Sequence, residues 1–156
     1  METKPIDPNK KMIAIADDSE EFVALYKAIL SEQYEIFAST DPYDLLEYSS
    51  NHQTDLLIID LMMPQIHGLE LIHLIRRTQH MPIVVVSGSS DPNEIESAKK
   101  QADRFLQKPF EPEELLKIIS GVLSESSNTT PWKLIDTSYH NRVQKYIHRP
   151  DKTSDN

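Results

Sequence analysis

Residues 55–71 read DLLIIDLMMPQIHGLEL. The first six positions are apolar almost throughout, which is the pattern of a strand buried on both faces. The continuation GLELIHLIRRT (68–78) carries Leu71, Leu74 and Ile75 at helical spacing. Between them, Pro64 fixes φ at one place and Gly68 relaxes sterics at another, so the connection is a tight, shaped loop. One strand, one loop and one helix follow in that order, and the same unit recurs in both directions. Upstream, MIAIA (12–16) leads into SEEFVALYKAILSE (19–32), with Phe22, Leu25 and Ile29 at helical spacing, and YEIFAS (34–39) leads into DPYDLLEYSS (41–50). Downstream, PIVVVS (82–87) is the most β-branched run in the chain. It leads into DPNEIESAKKQA (91–102), a polar helix, and RFLQ (104–107) leads into the amphipathic EPEELLKIISGVLSES (111–126). Five strand-then-helix repeats with short connections imply an α/β fold: a five-stranded parallel sheet, doubly wound, with helices on both faces.

Composition narrows the function classes. With 38% hydrophobic and 26% charged residues over 156 positions, the chain has enough apolar material for one core plus an extension. No apolar run approaches the roughly 20 residues that span a bilayer, and METKPIDPNKK at the start has no secretory-type apolar stretch. Zero cysteines leave no disulfide and no thiolate metal site, so the cytoplasm is the expected location and no membrane partner is expected. The net charge of −9 is uneven: residues 1–126 hold 11 Lys and Arg against 22 Asp and Glu, and residues 127–156 hold 5 against 3. An acidic body repels nucleic acid, which is therefore not expected as a partner.

In a doubly wound sheet, ligands bind outside the carboxyl ends of the strands, where the strand order reverses. The first strand ends in Asp17 and Asp18, the third in Asp60 and the fourth in Ser87, while the fifth leads into Lys108-Pro109. Three carboxylates in one crevice favour protonation or a cation, and all-oxygen ligands without Cys or His point to a hard ion, Mg²⁺ in practice. A lysine and a hydroxyl beside that ion are donors suited to phosphate oxygens. The set suits phosphoryl transfer to a carboxylate. Taken singly, each piece has a plainer reading. Asp17 and Asp18 before Ser19 could cap a helix, Asp60 and Ser87-Gly88 could be turn residues, and Lys108 could be a surface lysine before a turn proline. The joint arrangement, each piece at its own strand end, is much harder to explain as structure alone.

On the motifs IADD, DLLIIDLMMPQIHGLEL, PIVVVSGSS and ADRFLQKPF, in this order and spacing, residues 10–126 resemble the receiver domain of two-component response regulators. The resemblance implies a flavodoxin-like (βα)5 fold and a phosphorylation-controlled signalling switch. It also implies that Asp60 accepts a phosphoryl group from a histidine kinase or histidine phosphotransfer protein. Asp17, Asp18, Asp60 and the backbone carbonyl of Met62 would hold Mg²⁺, and Lys108 would contact the phosphoryl group. Ser87 takes the place of the family's switch Thr or Ser, and Phe105 matches the aromatic that reorients on activation. Lys108-Pro109 would be joined by a cis bond. On its own, Phe105 reads as an ordinary core aromatic, and Met62 as a packing residue. Two positions depart from the pattern: Gln101-Ala102 stands where Gly-Ala is usual, and His67 replaces a common Asp and reads as a surface residue.

Phosphorylation replaces a carboxylate with a group of roughly −1.5 to −2 charges. The expected response is a movement of Ser87 toward the new oxygens and of Phe105 inward, changing how the face formed by 91–126 binds a downstream protein target. Residues 1–9 read as an N-terminal tail and 127–156 as a C-terminal extension after a polar break, SESSNTT (124–130). Within that extension, 131–148 carries Trp132, Ile135, Tyr139, Val143, Tyr146 and Ile147 at helical spacing, an amphipathic helix that either folds back on the body or serves a homodimer or partner surface. It is too short for a helix-turn-helix output module.

Rival readings have specific weaknesses. An aspartate-nucleophile phosphatase wants Asp-x-Asp after the first strand, and the pair here is adjacent. A nucleotide enzyme would want a glycine-rich phosphate loop, and Gly68, Gly88 and Gly121 are the only glycines. The chain is thus not expected to be an enzyme beyond Mg²⁺-dependent chemistry on its own carboxylate. Two further alternatives are an adaptor that ignores phosphorylation and a receiver fragment of a longer regulator with an output domain.

Overall fold

The computed structural model describes residues 4–125. The elements alternate without interruption: β1 (Met12–Ala16), α1 (Glu20–Leu30), β2 (Glu35–Ser39), α2 (Pro42–Asn51), β3 (Leu56–Ile59), α3 (Gly68–Arg76), β4 (Ile83–Ser87), α4 (Pro92–Gln101), β5 (Arg104–Gln107) and α5 (Pro112–Glu125). All strands are parallel in one sheet of order β2-β1-β3-β4-β5, so the order reverses between β1 and β3. The expected doubly wound α/β fold is the one found. Among the described residues, no helix is long and apolar enough to cross a membrane. The amphipathic helix expected at 131–148 lies outside the described residues.

Strand pleating explains why the strands read as continuous apolar runs. Alternate residues of β1, β3 and β4 serve two separate cores. Ala14, Leu57, Ile59, Ile83 and Val85 pack with Leu45 and Leu46 of α2, Leu71, Ile72 and Ile75 of α3, and Ala98 of α4. Ile13, Ile15, Leu56, Ile58, Val84 and Val86 face the other way, onto Tyr26 and Leu30 of α1 and Leu115, Ile119 and Val122 of α5. The helix starts are capped locally. Ser19 accepts from the Phe22 N–H, Asp41 from Tyr43 and Asp91 from Asn93, and prolines sit in the first turns of α2 and α4.

The apolar residues at helical spacing in α1 are not equally buried. Leu25 is 39% exposed, whereas Tyr26 and Leu30, four residues apart, are fully buried. Phe22 and Ile29 flank them and are only partly buried. The polar hydroxyl made Tyr26 an unpromising core residue in the sequence, and its burial has consequences for the site.

Candidate functional site

The reversal of strand order places the ends of β1 and β3 side by side. Ala16 pairs with Ile59, and the Asp60 N–H donates to the Ala16 carbonyl at 3.0 Å. The next residues of each strand, Asp17 and Asp60, are thereby held in the crevice and buried, at 0% and 4% exposure. Asp18 is exposed at the rim. One carboxylate oxygen from each of Asp17, Asp18 and Asp60 lies within 4.8 Å of the others. On the far side, the Lys108 N–H donates to the Ser87 carbonyl at 2.9 Å, tying the chain after β5 to the end of β4. The Lys108-Pro109 bond is cis, as the resemblance implies.

Lys108 bridges the two buried acids. Its Nζ donates to Asp17 Oδ2 at 2.6 Å and to Asp60 Oδ2 at 3.2 Å, and stands 3.8 Å from the centroid of the Phe22 ring. The remaining oxygens meet backbone donors: Asp17 Oδ1 accepts from the Ser19 N–H at 3.0 Å, and Asp60 Oδ1 from the Met62 N–H at 3.3 Å. Burial pushes the Asp60 carboxyl up from its ordinary value. The Asp17 charge adds to that rise, while Lys108 and the Met62 N–H oppose it. The crevice thus holds more negative charge than one lysine balances, and its oxygen donors fit a hard divalent cation.

The other expected residues take less uniform positions. Ser87 is fully buried at the strand end, with its Oγ accepting from the Ser89 N–H at 3.2 Å. Phe105 is half-buried on β5 against the first core, with Lys99 Nζ 5.9 Å from its ring centroid. Met62 bonds to Asp60 through its N–H, and the residue is 56% exposed. At Gln101-Ala102, Ala102 caps α4 through its N–H to the Ala98 carbonyl in ordinary extended geometry. The glycine usual there is not needed for a left-handed residue.

Four contributors escaped the sequence reading. Tyr26 donates its hydroxyl to Asp17 Oδ2 at 3.3 Å, and Phe22 lies beside Lys108. His67, expected as a surface residue, caps α3, its Nδ1 accepting from the Leu69 N–H, and its Nε2 meets Glu94 Oε1 at 2.8 Å. Glu94 also accepts from the Ser89 hydroxyl. It therefore clasps the loop after β3 to the loop after β4, on either side of the site. The Ser89 hydroxyl and then His67 hold the Glu94 carboxyl below the ordinary range. A lowered value means the stabilisation is present at neutral pH and is lost as pH falls through the folded value. Glu94→Gln should therefore cost about 0.5–1 kcal/mol at neutral pH in urea unfolding, and the difference should close in acid. A difference independent of pH would contradict the clasp.

The fold and the acid–lysine crevice define a CheY-like receiver of flavodoxin type. The family model for the response regulator receiver domain matches residues 13–120, and the chain belongs to that family. It is 34% identical over 113 residues to response regulator ArlR of Staphylococcus aureus, covering 71% of this chain and 52% of that protein. The chain spans about half the length of the curated relatives it matches. Among solved structures it resembles the chemotaxis response regulator CheY4 of Vibrio cholerae (26% identity, TM-score 0.68, 73% of this chain and 99% of that one). It also resembles a CheY-like receiver domain protein of Methanospirillum hungatei JF-1 (28% identity, TM-score 0.68, 75% and 96%). Membership implies phosphorylation-dependent signalling with a histidine kinase or phosphotransfer partner. Receiver domains generally bind Mg²⁺ at an acidic pocket, and the Asp17–Asp18–Asp60 cluster fits that use.

Proposed function

We propose that the chain is a switch in which Asp60 accepts a phosphoryl group from a histidine kinase or histidine phosphotransfer protein and so alters binding of a downstream protein. The observation that carries this reading is Lys108 shared between Asp17 and Asp60 inside a cluster of three carboxylates. One Asp60 oxygen forms the new O–P bond as the donor's N–P bond breaks, and that electron pair stays on the donor imidazole. Asp17, Asp18, Asp60 and the Met62 carbonyl would hold Mg²⁺, which when bound supplies charge neutralisation for the phosphoryl oxygens. Lys108 turns from the carboxylates to a phosphoryl oxygen, and the buried Ser87 hydroxyl donates to another. The chemistry stays on the protein's own carboxylate, so the chain is a phosphoacceptor rather than an enzyme acting on other substrates.

The output runs through the half-buried Phe105, which would move into the space that Ser87 vacates, and through α4, β5 and α5 around it. Coupling of this kind is typically about 1–3 kcal/mol, a 5- to 150-fold change in partner affinity. Beryllofluoride with Mg²⁺ mimics the acyl phosphate and tests the switch. Amide resonances of 87–89 and 104–107 should move together, with the Phe105 ring signals changing environment. Binding that leaves the α4–β5 face unmoved would contradict the output route, and no binding at all would favour the phosphorylation-independent adaptor. The 52% coverage of the curated relatives also supports a reading as the receiver portion of a longer regulator with an output domain.

A further inference from the structure

A buried tyrosine needs a partner for its hydroxyl, because an apolar ring of the same shape fills the volume without a desolvation cost. Tyr26 is fully buried, with its ring stacked on Phe110 (centroids 6.2 Å apart, 13° between planes) and tilted against Phe22 at 6.2 Å. Its hydroxyl leaves this aromatic packing at one point only, toward Asp17 Oδ2 at 3.3 Å. The same oxygen receives Lys108 Nζ at 2.6 Å, while Asp17 Oδ1 is taken by the Ser19 N–H. We propose that Tyr26 is a positioning residue of the acidic site: its hydroxyl holds the Asp17 carboxylate in its cation-binding orientation when Lys108 turns away to a phosphoryl oxygen.

This role of Tyr26 rests on the reading of the site as a Mg²⁺-assisted phosphoacceptor. Lys108 is the stronger of the two donors to Asp17 Oδ2, and the proposed reaction requires it elsewhere. Without Tyr26, the buried oxygen would then lose its side-chain donors, leaving the Ser19 N–H on Oδ1 as the one protein donor that orients the carboxylate. The hydroxyl is well suited to remain behind. A phenol carries its proton at neutral pH, so the hydroxyl remains a donor. Its ring cannot swing, being fixed between Phe22 and Phe110. Phe22 and Tyr26 occupy successive turns of α1, so one helix face supports both Lys108 and Asp17. Donors that orient a metal-binding carboxylate commonly alter metal affinity by 10- to 100-fold.

The test is calorimetric titration of MgCl₂ into the full chain, comparing wild type with Tyr26→Phe, Tyr26→Leu and Asp17→Asn. Both Tyr26 variants should bind Mg²⁺ about ten-fold more weakly, since both lack the hydroxyl. The Mg²⁺ concentration giving half-maximal acetyl phosphate labelling should rise by a similar factor. In EDTA, only the leucine variant should unfold markedly earlier. Wild-type Mg²⁺ affinity in Tyr26→Phe would overturn the positioning role, as would a loss confined to Tyr26→Leu, which would make the residue a packing element. If wild type binds Mg²⁺ and Asp17→Asn does not, the reading of the site stands whatever Tyr26→Phe does. If wild type does not bind, both fall.

Discussion

Asp60→Asn should abolish labelling by radioactive acetyl phosphate in the presence of Mg²⁺, while the protein becomes more stable at neutral pH. The first effect follows from chemistry. An amide cannot form the acyl phosphate, and it brings no charge to the cation cluster. The fold has no reason to fail: asparagine keeps the shape and one oxygen for the Met62 N–H, and Lys108, losing its bond to the second Asp60 oxygen, retains its 2.6 Å contact with Asp17. The second effect follows from the raised Asp60 carboxyl, which burial causes in the main. A group whose folded value is raised stabilises the fold below its unfolded value, and loses that contribution as pH rises through the folded value. At neutral pH, above its ordinary value, Asp60 is therefore a cost that the neutral amide removes. The upward shift of the unfolding midpoint should shrink as pH falls, and vanish below the ordinary carboxylate range. Function-bearing groups commonly trade stability in this way. Persistent labelling of the variant would sink the acceptor assignment. Lower stability at neutral pH would sink the electrostatic account of the crevice.

Gly68→Ala should be the most damaging single-methyl change in the described part of the chain. A Cβ at Gly68 would overlap the Asp60 carbonyl oxygen and stand 2.7 Å from Leu61 Cα. Both obstacles are backbone, so no side-chain rotation relieves them. Its φ is not in the left-handed region, and the requirement is purely one of close approach. The start of α3 is pressed onto the loop after β3, where the Gly68 N–H donates to the Leu61 carbonyl at 2.9 Å. Relief requires moving either α3 or the backbone that carries Asp60. The expected loss is about 3 kcal/mol in urea unfolding, with slower acetyl phosphate labelling in the folded fraction because the Asp60 backbone has shifted. Stability and labelling both equal to wild type would contradict this packing.

Most of the architecture was legible because its signals are local and repeated. Apolar strands, Pro and Asp at helix starts, and charged residues at strand ends each recur through the chain, and a doubly wound parallel sheet then follows from the strand–helix alternation. The acidic set was legible for the same reason: Asp17, Asp18, Asp60, Ser87 and Lys108 all occupy strand ends. What stayed hidden depends on rotation and on distance in sequence. Helical spacing in α1 did not single out Tyr26, whose hydroxyl disguises a fully buried residue. The partner of that hydroxyl lies nine residues back, just past the end of β1. The Glu94 clasp joins residues 27 positions apart, His67 and Glu94, that each look like solvated surface groups. A polar residue on an otherwise apolar helix face was the one available signal for Tyr26.

The central claim is that Asp60 itself carries the phosphoryl group. Mass spectrometry of the full chain after incubation with acetyl phosphate tests it most directly, with Mg²⁺ in one sample and EDTA in the other, followed by borohydride trapping and peptide mapping. The account predicts a single phosphoryl group, added only with Mg²⁺ and mapped to Asp60. Equal modification in EDTA, or modification mapped to another residue, would contradict it.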